Sequence, residues 1–195
     1  MRTRIQRMFQ LGLVVFLSGC VNFEPKPDPT RHFTLGPSEP LAEMKDRNRK
    51  PIYIRRPDLP AYATGNRFMV REDGGELRAV GGIRWAEAMS EGLARSLGEW
   101  ISGESGLRVS GYYPWPALED DSLDVKVQFL QWVATDRGEI VVTADWRIFE
   151  NGSVVAQERY HSQGIRWTPG EPETMVDGYN AALRQMAESI TEDLR

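Results

Sequence analysis

Hydrophobic and polar residues alternate over long stretches of the C-terminal half of the chain. Val125, Val127 and Phe129, for example, are each separated by a polar residue. Three runs with strand-like character follow one another: residues 123–135, 139–150 and 153–167. The runs are joined at Asp136–Gly138 and Asn151–Gly152, which are short glycine-containing turns of the kind that connect antiparallel neighbours. This pattern predicts a meander of three antiparallel strands.

Shorter strand-like runs precede the meander. They cover residues 32–36, 51–55, 67–72, 76–80 and 107–111. The third and fourth runs flank Asp73-Gly74-Gly75, and glycine tolerates the positive φ of a tight turn, so a β-hairpin is predicted there. Residues 37–50 are polar and charged and are interpreted as a loop.

Two segments have the three-to-four-residue hydrophobic repeat of amphipathic helices. The first is predicted from about Ile83 to Ser102, with Trp85, Leu93 and Trp100 facing inward, and the second from about Thr174 to Leu194. Together the elements predict an α+β fold, an antiparallel or mixed sheet with two amphipathic helices packed on one face. No internal repeat or second-domain boundary is visible.

The N-terminus has the organisation of a bacterial lipoprotein signal. Arg2, Arg4 and Arg7 precede an apolar run over residues 9–17, which is about half of the roughly 20 residues that a membrane-spanning helix needs. The run ends at Leu17-Ser-Gly-Cys20, which resembles a lipobox, and Cys20 is the single cysteine of the chain. Cys20 is therefore the predicted lipidation site, and the alternative is a cleaved signal that happens to contain a cysteine.

These features predict three parts of the chain. Residues 1–19 form the signal peptide, residues 20–30 carry the acylated Cys20 and a proline-rich tether, and residues 31–195 form a single periplasmic α+β domain. Prolines 25, 27 and 29 favour an extended tether, and the alternative is an ordered arm packed on the domain.

Charge and composition exclude several classes of function. The chain is 41% hydrophobic and 27% charged, the balance of a globular protein, and its formal net charge is −4. Removal of residues 1–19 takes away three arginines and no acid, which leaves 21 basic and 28 acidic residues and a net charge of −7. No basic run is present, so no nucleic-acid partner is expected.

Candidate chemistry is sparse, and the chain is not expected to be an enzyme. His32 and His161 are the only histidines and lack a second ligand at metal spacing, and Gly103-Glu-Ser105-Gly106 departs from a nucleophile elbow. Glu119-Asp120-Asp121 is interpreted as a solvated acidic loop and not as a cation site. No catalytic residue, metal site or cofactor is therefore predicted.

An aromatic loop is the candidate partner-binding site. Tyr112, Tyr113 and Trp115 lie in a proline-bounded segment, where aromatic side chains either close the end of the sheet or form an exposed interface anchor.

Several short motifs resemble the ABC-type transport auxiliary lipoprotein family. They are His32-Phe-Thr-Leu35, the run from Ile54 to Tyr62 that contains Leu59-Pro60-Ala-Tyr62, Arg67-Phe-Met-Val-Arg71, and the run from Ile83 to Met89 that contains Arg84-Trp85-Ala-Glu87. Ala63 and Ala88 depart from the family pattern, which has Leu and Pro there. The motif positions are mostly expected to be structural: Leu59, Pro60, Tyr62, Arg84, Trp85 and Glu87.

The resemblance implies a function and partners. This family, which is similar to the paraquat-inducible intermembrane transport lipoprotein, implies a non-catalytic accessory subunit that docks an MCE-type lipid transport system to a membrane. The implied partners are an MCE-family protein and an ABC permease and ATPase, besides the membrane bound through Cys20 and a possible homo-oligomer. The alternative is a periplasmic carrier that holds lipid in its own pocket. Val21 lacks the aspartate of inner-membrane retention, which favours the outer membrane.

We predict that Cys20→Ala abolishes acylation, because the thiol is the acceptor of the acyl group, and that it yields a soluble or signal-retaining form. Metabolic labelling with a clickable palmitate analogue checks this. Equal labelling of the wild type and the variant would contradict the lipoprotein assignment.

Overall fold

The computed structural model describes residues 27–37, 49–118 and 121–194 of the chain. The signal peptide, Cys20 and most of the tether lie outside these residues. The elements in chain order are β1 (Arg31–Phe33), β2 (Ile52–Ile54), a 3₁₀ turn (Ala61–Ala63), β3 (Met69–Arg71), β4 (Leu77–Ala79), β5 (Ile83–Trp85), α1 (Met89–Ser105), β6 (Val109–Tyr112), β7 (Leu123–Thr135), β8 (Ile140–Glu150), β9 (Ser153–His161) and α2 (Pro172–Glu192). The fold is α+β.

Strand β7 is the centre of a mixed seven-stranded sheet. Along one edge it pairs antiparallel with β8, which pairs with β9, so the predicted meander is confirmed. Along its other edge β7 pairs in parallel first with β2 and then with β3. Strand β6 extends the sheet from β2, and β4 extends it from β3 through the predicted hairpin.

The turn chemistry of the meander agrees with the sequence. Asn151 and Gly152 have φ values of 51° and 80°, the positive values that a two-residue Asn-Gly hairpin requires. The run predicted to extend to Trp167 is shorter than expected, because β9 ends at His161. Beyond it, Arg166 returns only as an isolated bridge to Glu139.

The start of the first helix is wrong in the sequence-based prediction. Residues Ile83–Trp85 form β5, which pairs in parallel with β1, and α1 begins only at Met89. The backbone N–H of Trp85 donates to Asn66 O at 2.8 Å, and that of Ala86 donates to Phe33 O at 2.8 Å. The parallel pairing with β1 requires an extended backbone over these residues, which a helix does not have. Trp85 therefore faces the core from a strand and not from a helix.

Both helices contact the seven-stranded sheet and each other: α1 lies against β2 and β6, and α2 lies against β8. Burial alternates along β7, where Val125, Val127 and Phe129 are buried and the residues between them are exposed. Leu93 is fully buried, as expected, whereas Trp100 is only partly buried at the edge of the core.

Six aromatic rings form a continuous path through the core. In order of contact they are Phe33, Phe68, Trp85, Tyr179, Trp132 and Phe129. Trp85 lies at the middle, stacked on Phe68 with ring centroids 3.9 Å apart and edge-on to Tyr179 at 5.9 Å. The path joins the small β1–β5 sheet to α2 and β7.

An ion-pair network attaches the N-terminal arm, residues 31–37, to α1. The guanidinium of Arg95 donates to Glu87 at 2.6 Å, to Glu99 at 3.1 Å and to the backbone oxygen of Leu35 at 2.9 Å. Partial burial of Arg95 opposes its charge, but the two carboxylates outweigh that effect and raise its pKa. Glu87 is thus a structural partner of the arm.

The same arm is also attached to α2. The N–H of Gly36 donates to Asn180 Oδ1 at 2.9 Å, in a backbone conformation with φ of 113°. A Cβ at Gly36 would lie 2.7 Å from a carboxylate oxygen of Glu99 and would displace that side chain, while the positive φ favours glycine. Arg31 forms an ion pair with Glu173 at the start of α2, and this pairing lowers the pKa of Glu173.

We expect Trp85→Ala to lower the free energy of unfolding by about 3–5 kcal/mol, because it removes a buried ring that contacts two others. Chemical denaturation measures the change. Trp115→Ala, at an exposed tryptophan, is the matched control and should lower stability by less than about 0.5 kcal/mol. Equal losses for the two variants would contradict the aromatic path.

We expect Glu87→Gln to destabilise the domain by about 1–2 kcal/mol, because a charge-assisted hydrogen bond to Arg95 is replaced by a neutral one. Glu91→Gln, at an exposed residue of α1, is the control. The urea concentration at the unfolding midpoint measures the stability of each variant. A midpoint for Glu87→Gln equal to that of Glu91→Gln and of the wild type would show that the network does not hold the arm.

Candidate functional site

The candidate site is the aromatic loop, residues 113–118, directly after β6. Because β6 runs beside β2, the backbone holds the loop against β2: the N–H of Tyr113 donates to Ile54 O at 2.9 Å. The hydroxyl of Tyr53 donates to the backbone oxygen of Trp115 at 2.8 Å, and the N–H of Leu118 donates to Ser110 O at 3.2 Å. The aromatic loop is therefore fixed at its start, middle and end.

The three predicted residues of the loop differ in exposure. Tyr112 is the last residue of β6 and not a loop residue, and both Tyr112 and Tyr113 pack partly buried against the core. Trp115, by contrast, is 69% exposed. Leu118, which the sequence analysis did not select, is 82% exposed. Its signal was its position as an isolated large apolar residue directly before acidic ones. Trp115 and Leu118 are thus large apolar side chains presented to solvent by a held backbone.

A groove of about 430 Å³ adjoins the aromatic loop. It is lined by two arginines, one lysine, two aspartates, a phenylalanine and a glycine: Arg55, Arg56, Lys126, Asp58, Asp124, Phe149 and Gly152. The guanidinium of Arg56 lies over the ring of Tyr113, 5.3 Å from its centroid, so the groove and the loop are continuous.

The motif residues Leu59, Pro60 and Tyr62 lie where the chain crosses from β2 to β3 along β7. The oxygen of Pro60 accepts the N–H of Ala63 in the 3₁₀ turn at 2.9 Å, and Leu59 packs partly buried against the core. The hydroxyl of Tyr62 accepts the backbone N–H of Trp132 at 3.2 Å, just beyond the register shift in β7. The Tyr62 hydroxyl thus provides an acceptor for a backbone N–H beside the irregularity in β7, which is a structural role.

The second motif group, Arg84, Trp85 and Glu87, lies on and directly after β5. Arg84 lies on β5 beside His32 in register and is partly buried, while Trp85 is 4% exposed in the aromatic path. Glu87 follows β5 and binds Arg95. None of these three side chains lies in the aromatic loop.

The candidate catalytic groups are engaged in ordinary structural contacts. The hydroxyl of Ser105 donates to Ile101 O at 2.6 Å and accepts the N–H of Leu107 at 3.0 Å, which caps the end of α1. Nδ1 of His161 lies 3.2 Å from Oγ1 of Thr143, while His32 belongs to the other sheet. Burial raises the pKa of Tyr179, so this phenol stays protonated.

In the described ranges no group of three or more His, Cys, Asp or Glu side chains is placed to hold a metal ion. Of the acidic loop, Glu119 and Asp120 lie outside the described residues, and the carboxylate of Asp121 binds Lys50 at 2.7 Å. Among the helices that the structure describes, none combines the length and apolarity needed to cross a membrane.

The chain matches the family model described as "ABC-type transport auxiliary lipoprotein component" over residues 33–191. No curated protein matches it. A crystal structure titled only as an uncharacterized protein superposes with a TM-score of 0.70 at 16% identity, covering 85% of this chain and 99% of the other. A Xanthomonas campestris protein assigned to the DUF330 family superposes with a TM-score of 0.59 at 15% identity, covering 83% and 89%. At these identities the structural likeness concerns the fold alone, and the family-model match carries the assignment. The chain belongs to the ABC-type transport auxiliary lipoprotein component family.

Proposed function

We propose that the protein is a non-catalytic, membrane-anchored accessory lipoprotein that docks an MCE-type ABC lipid transport system to a membrane. The observation that carries the proposal is the pair Trp115 and Leu118, large apolar side chains that are 69% and 82% exposed. Their partner is an MCE-family protein of a complex that also contains an ABC permease and ATPase. A second copy of the chain is the other possible occupant of this surface.

The aromatic loop has the physical properties of an interface anchor. Tryptophans are enriched among the interface residues that contribute most to binding energy. Binding buries the large apolar surface of the ring, and the rigid side chain loses little conformational entropy. Here the backbone around Trp115 is already held by the hydroxyl of Tyr53 and by β2, which reduces the entropy lost on binding.

The membrane anchor in this proposal is the acylated Cys20, followed by the tether over residues 20–30. The tether enters the domain at β1, where the arm is held by Arg95 and Asn180. The domain over residues 31–195 would then be positioned in the periplasm, with the outer membrane favoured as the anchoring membrane. Two or more acyl chains give stable attachment, whereas one binds only marginally.

The alternative function, a lipid carrier with its own pocket, receives less support. The space between sheet and helices is occupied by fully buried side chains that include Trp146, Leu183 and Met186. One observation favours a carrier: a depression of about 340 Å³ has a mainly apolar lining that includes Val70, Val80 and Trp167, beside the charged Arg78 and Asp136. This volume is at the lower end of the range for small-molecule sites.

We expect Trp115→Ala to preserve folding but to weaken binding to the MCE-type partner or to another copy by about 2 kcal/mol or more, roughly thirtyfold. Leu118→Ala should act in the same direction. Val155→Ala, at a residue that is 54% exposed on β9, is the control and should bind normally. A thermal melt beside a binding titration distinguishes the outcomes: a collapsed melting temperature with unaltered affinity of the folded fraction rejects the interface.

The partner itself is identified by crosslinking in the envelope followed by pull-down and mass spectrometry. Recovery of an MCE-family protein by the wild type, with a marked loss for Trp115→Ala at equal protein level, supports the docking role. Recovery of the same partner by both forms would place the interface elsewhere.

A further inference from the structure

The outer face of the sheet, the side opposite the buried side chains of β7 and β8, contains two cations directly opposite each other. Lys126 of β7 and Arg147 of β8 are register partners, and both side chains are exposed. Paired residues on antiparallel strands point to the same face with Cβ atoms about 5 Å apart, so like charges there are destabilising.

The carboxylates nearby do not balance the positive charge of this face. The two depressions on this face are lined by five cations and four carboxylates: Arg55, Arg56, Lys126, Arg147 and Arg159, against Asp58, Asp124, Asp145 and Glu158. Three cations have carboxylate partners, Arg55 with Asp124, Lys126 with Asp58 and Arg159 with Asp145. Within the part of the chain that the structure describes, Arg56 and Arg147 form no ion pair. By contrast, α1 and α2 together carry seven acidic and two basic residues.

Two depressions meet at the opposed cations. Lys126 lines the groove of about 430 Å³, together with Arg55 and Arg56. Its register partner Arg147 lines a neighbouring depression of about 400 Å³ with Gln157 and Arg159. A ligand placed over the pair can therefore be reached by cationic side chains from the segment after β2, from β7 and from β8.

We propose that this face binds a phosphate group, with Arg56, Lys126 and Arg147 as its cationic contacts. A phosphate supplies several acceptor oxygens and more than one negative charge, and guanidinium groups bind it through paired hydrogen bonds. Its charge also offsets the repulsion between Lys126 and Arg147. The phosphate comes either from a lipid headgroup or from free inorganic phosphate. The site is distinct from Trp115 and Leu118 and does not depend on the proposed docking partner.

The test uses the full acylated chain in neutral detergent micelles at fixed ionic strength. The probes are inorganic phosphate and dihexanoyl phosphatidylglycerol below its micelle concentration, with chloride as the reference anion. We expect both probes to raise the melting temperature in a saturable manner, because a ligand that binds only the folded state stabilises it. Tighter binding of the lipid identifies a headgroup site, and equal or tighter binding of inorganic phosphate identifies a free-phosphate site. Either result supports the proposal.

Arg147→Gln should weaken binding of the tighter probe about tenfold, the change typical of losing one charge-assisted contact. Without a probe, this variant should melt at or above the wild-type temperature, because the like-charge pair is gone. Arg184→Gln on α2 is the control and should bind as the wild type does. The proposal is overturned if neither probe acts more strongly than chloride, or if Arg147→Gln binds unchanged. Tighter binding of a hexaglutamate peptide than of either probe would also overturn it, in favour of an acidic protein segment.

Discussion

The packing of Trp85, stacked on Phe68 and edge-on to Tyr179, is the contact on which the arrangement of the N-terminal arm depends. Strands β1 and β5 form a separate two-stranded sheet, which shares no strand pairing with the seven-stranded sheet within the described residues. An isolated pair of three-residue strands is marginal in water, so side-chain packing must hold it in place. The aromatic path supplies that packing, and Phe33 at its end brings β1 onto the core.

Hydrogen bonds from both helices hold the N-terminal arm in addition to this aromatic packing. Arg95 reaches the backbone of Leu35 and Asn180 reaches that of Gly36, so the arm is tied to both helices. In the proposed lipid-anchored form, this arm would connect the tether to the folded domain. The motif residues Trp85 and Glu87 belong to this attachment, and Tyr62 supports the irregular part of β7. Their side chains make packing and hydrogen-bonding contacts within the domain.

The surfaces available for recognition are the aromatic loop and the outer face of the sheet, where packing in the core does not constrain the side chains. The aromatic loop is held by backbone hydrogen bonds and leaves Trp115 and Leu118 in solvent. Next to it, the outer face of the sheet carries an excess of cations on a protein whose helices are acidic. The cation–π contact between Arg56 and Tyr113 joins the two surfaces. One domain can thus present an apolar anchor and an anion-attracting face side by side.

Local sequence patterns determined the β7–β9 meander, the hairpin at Asp73–Gly75 and the presence of two helices, because alternation, turn residues and helical periodicity act over a few neighbouring positions. The lipobox-like segment and the short family motifs also indicate the family from local sequence alone. Only tertiary structure decided that Ile83–Trp85 is a strand, since its partner β1 lies about fifty residues earlier. Tertiary structure also separated exposed Trp115 from half-buried Tyr113, and it gathered cations from positions 55 to 159 on one face. Burial and charge proximity depend on segments distant in sequence, and no local pattern encodes them.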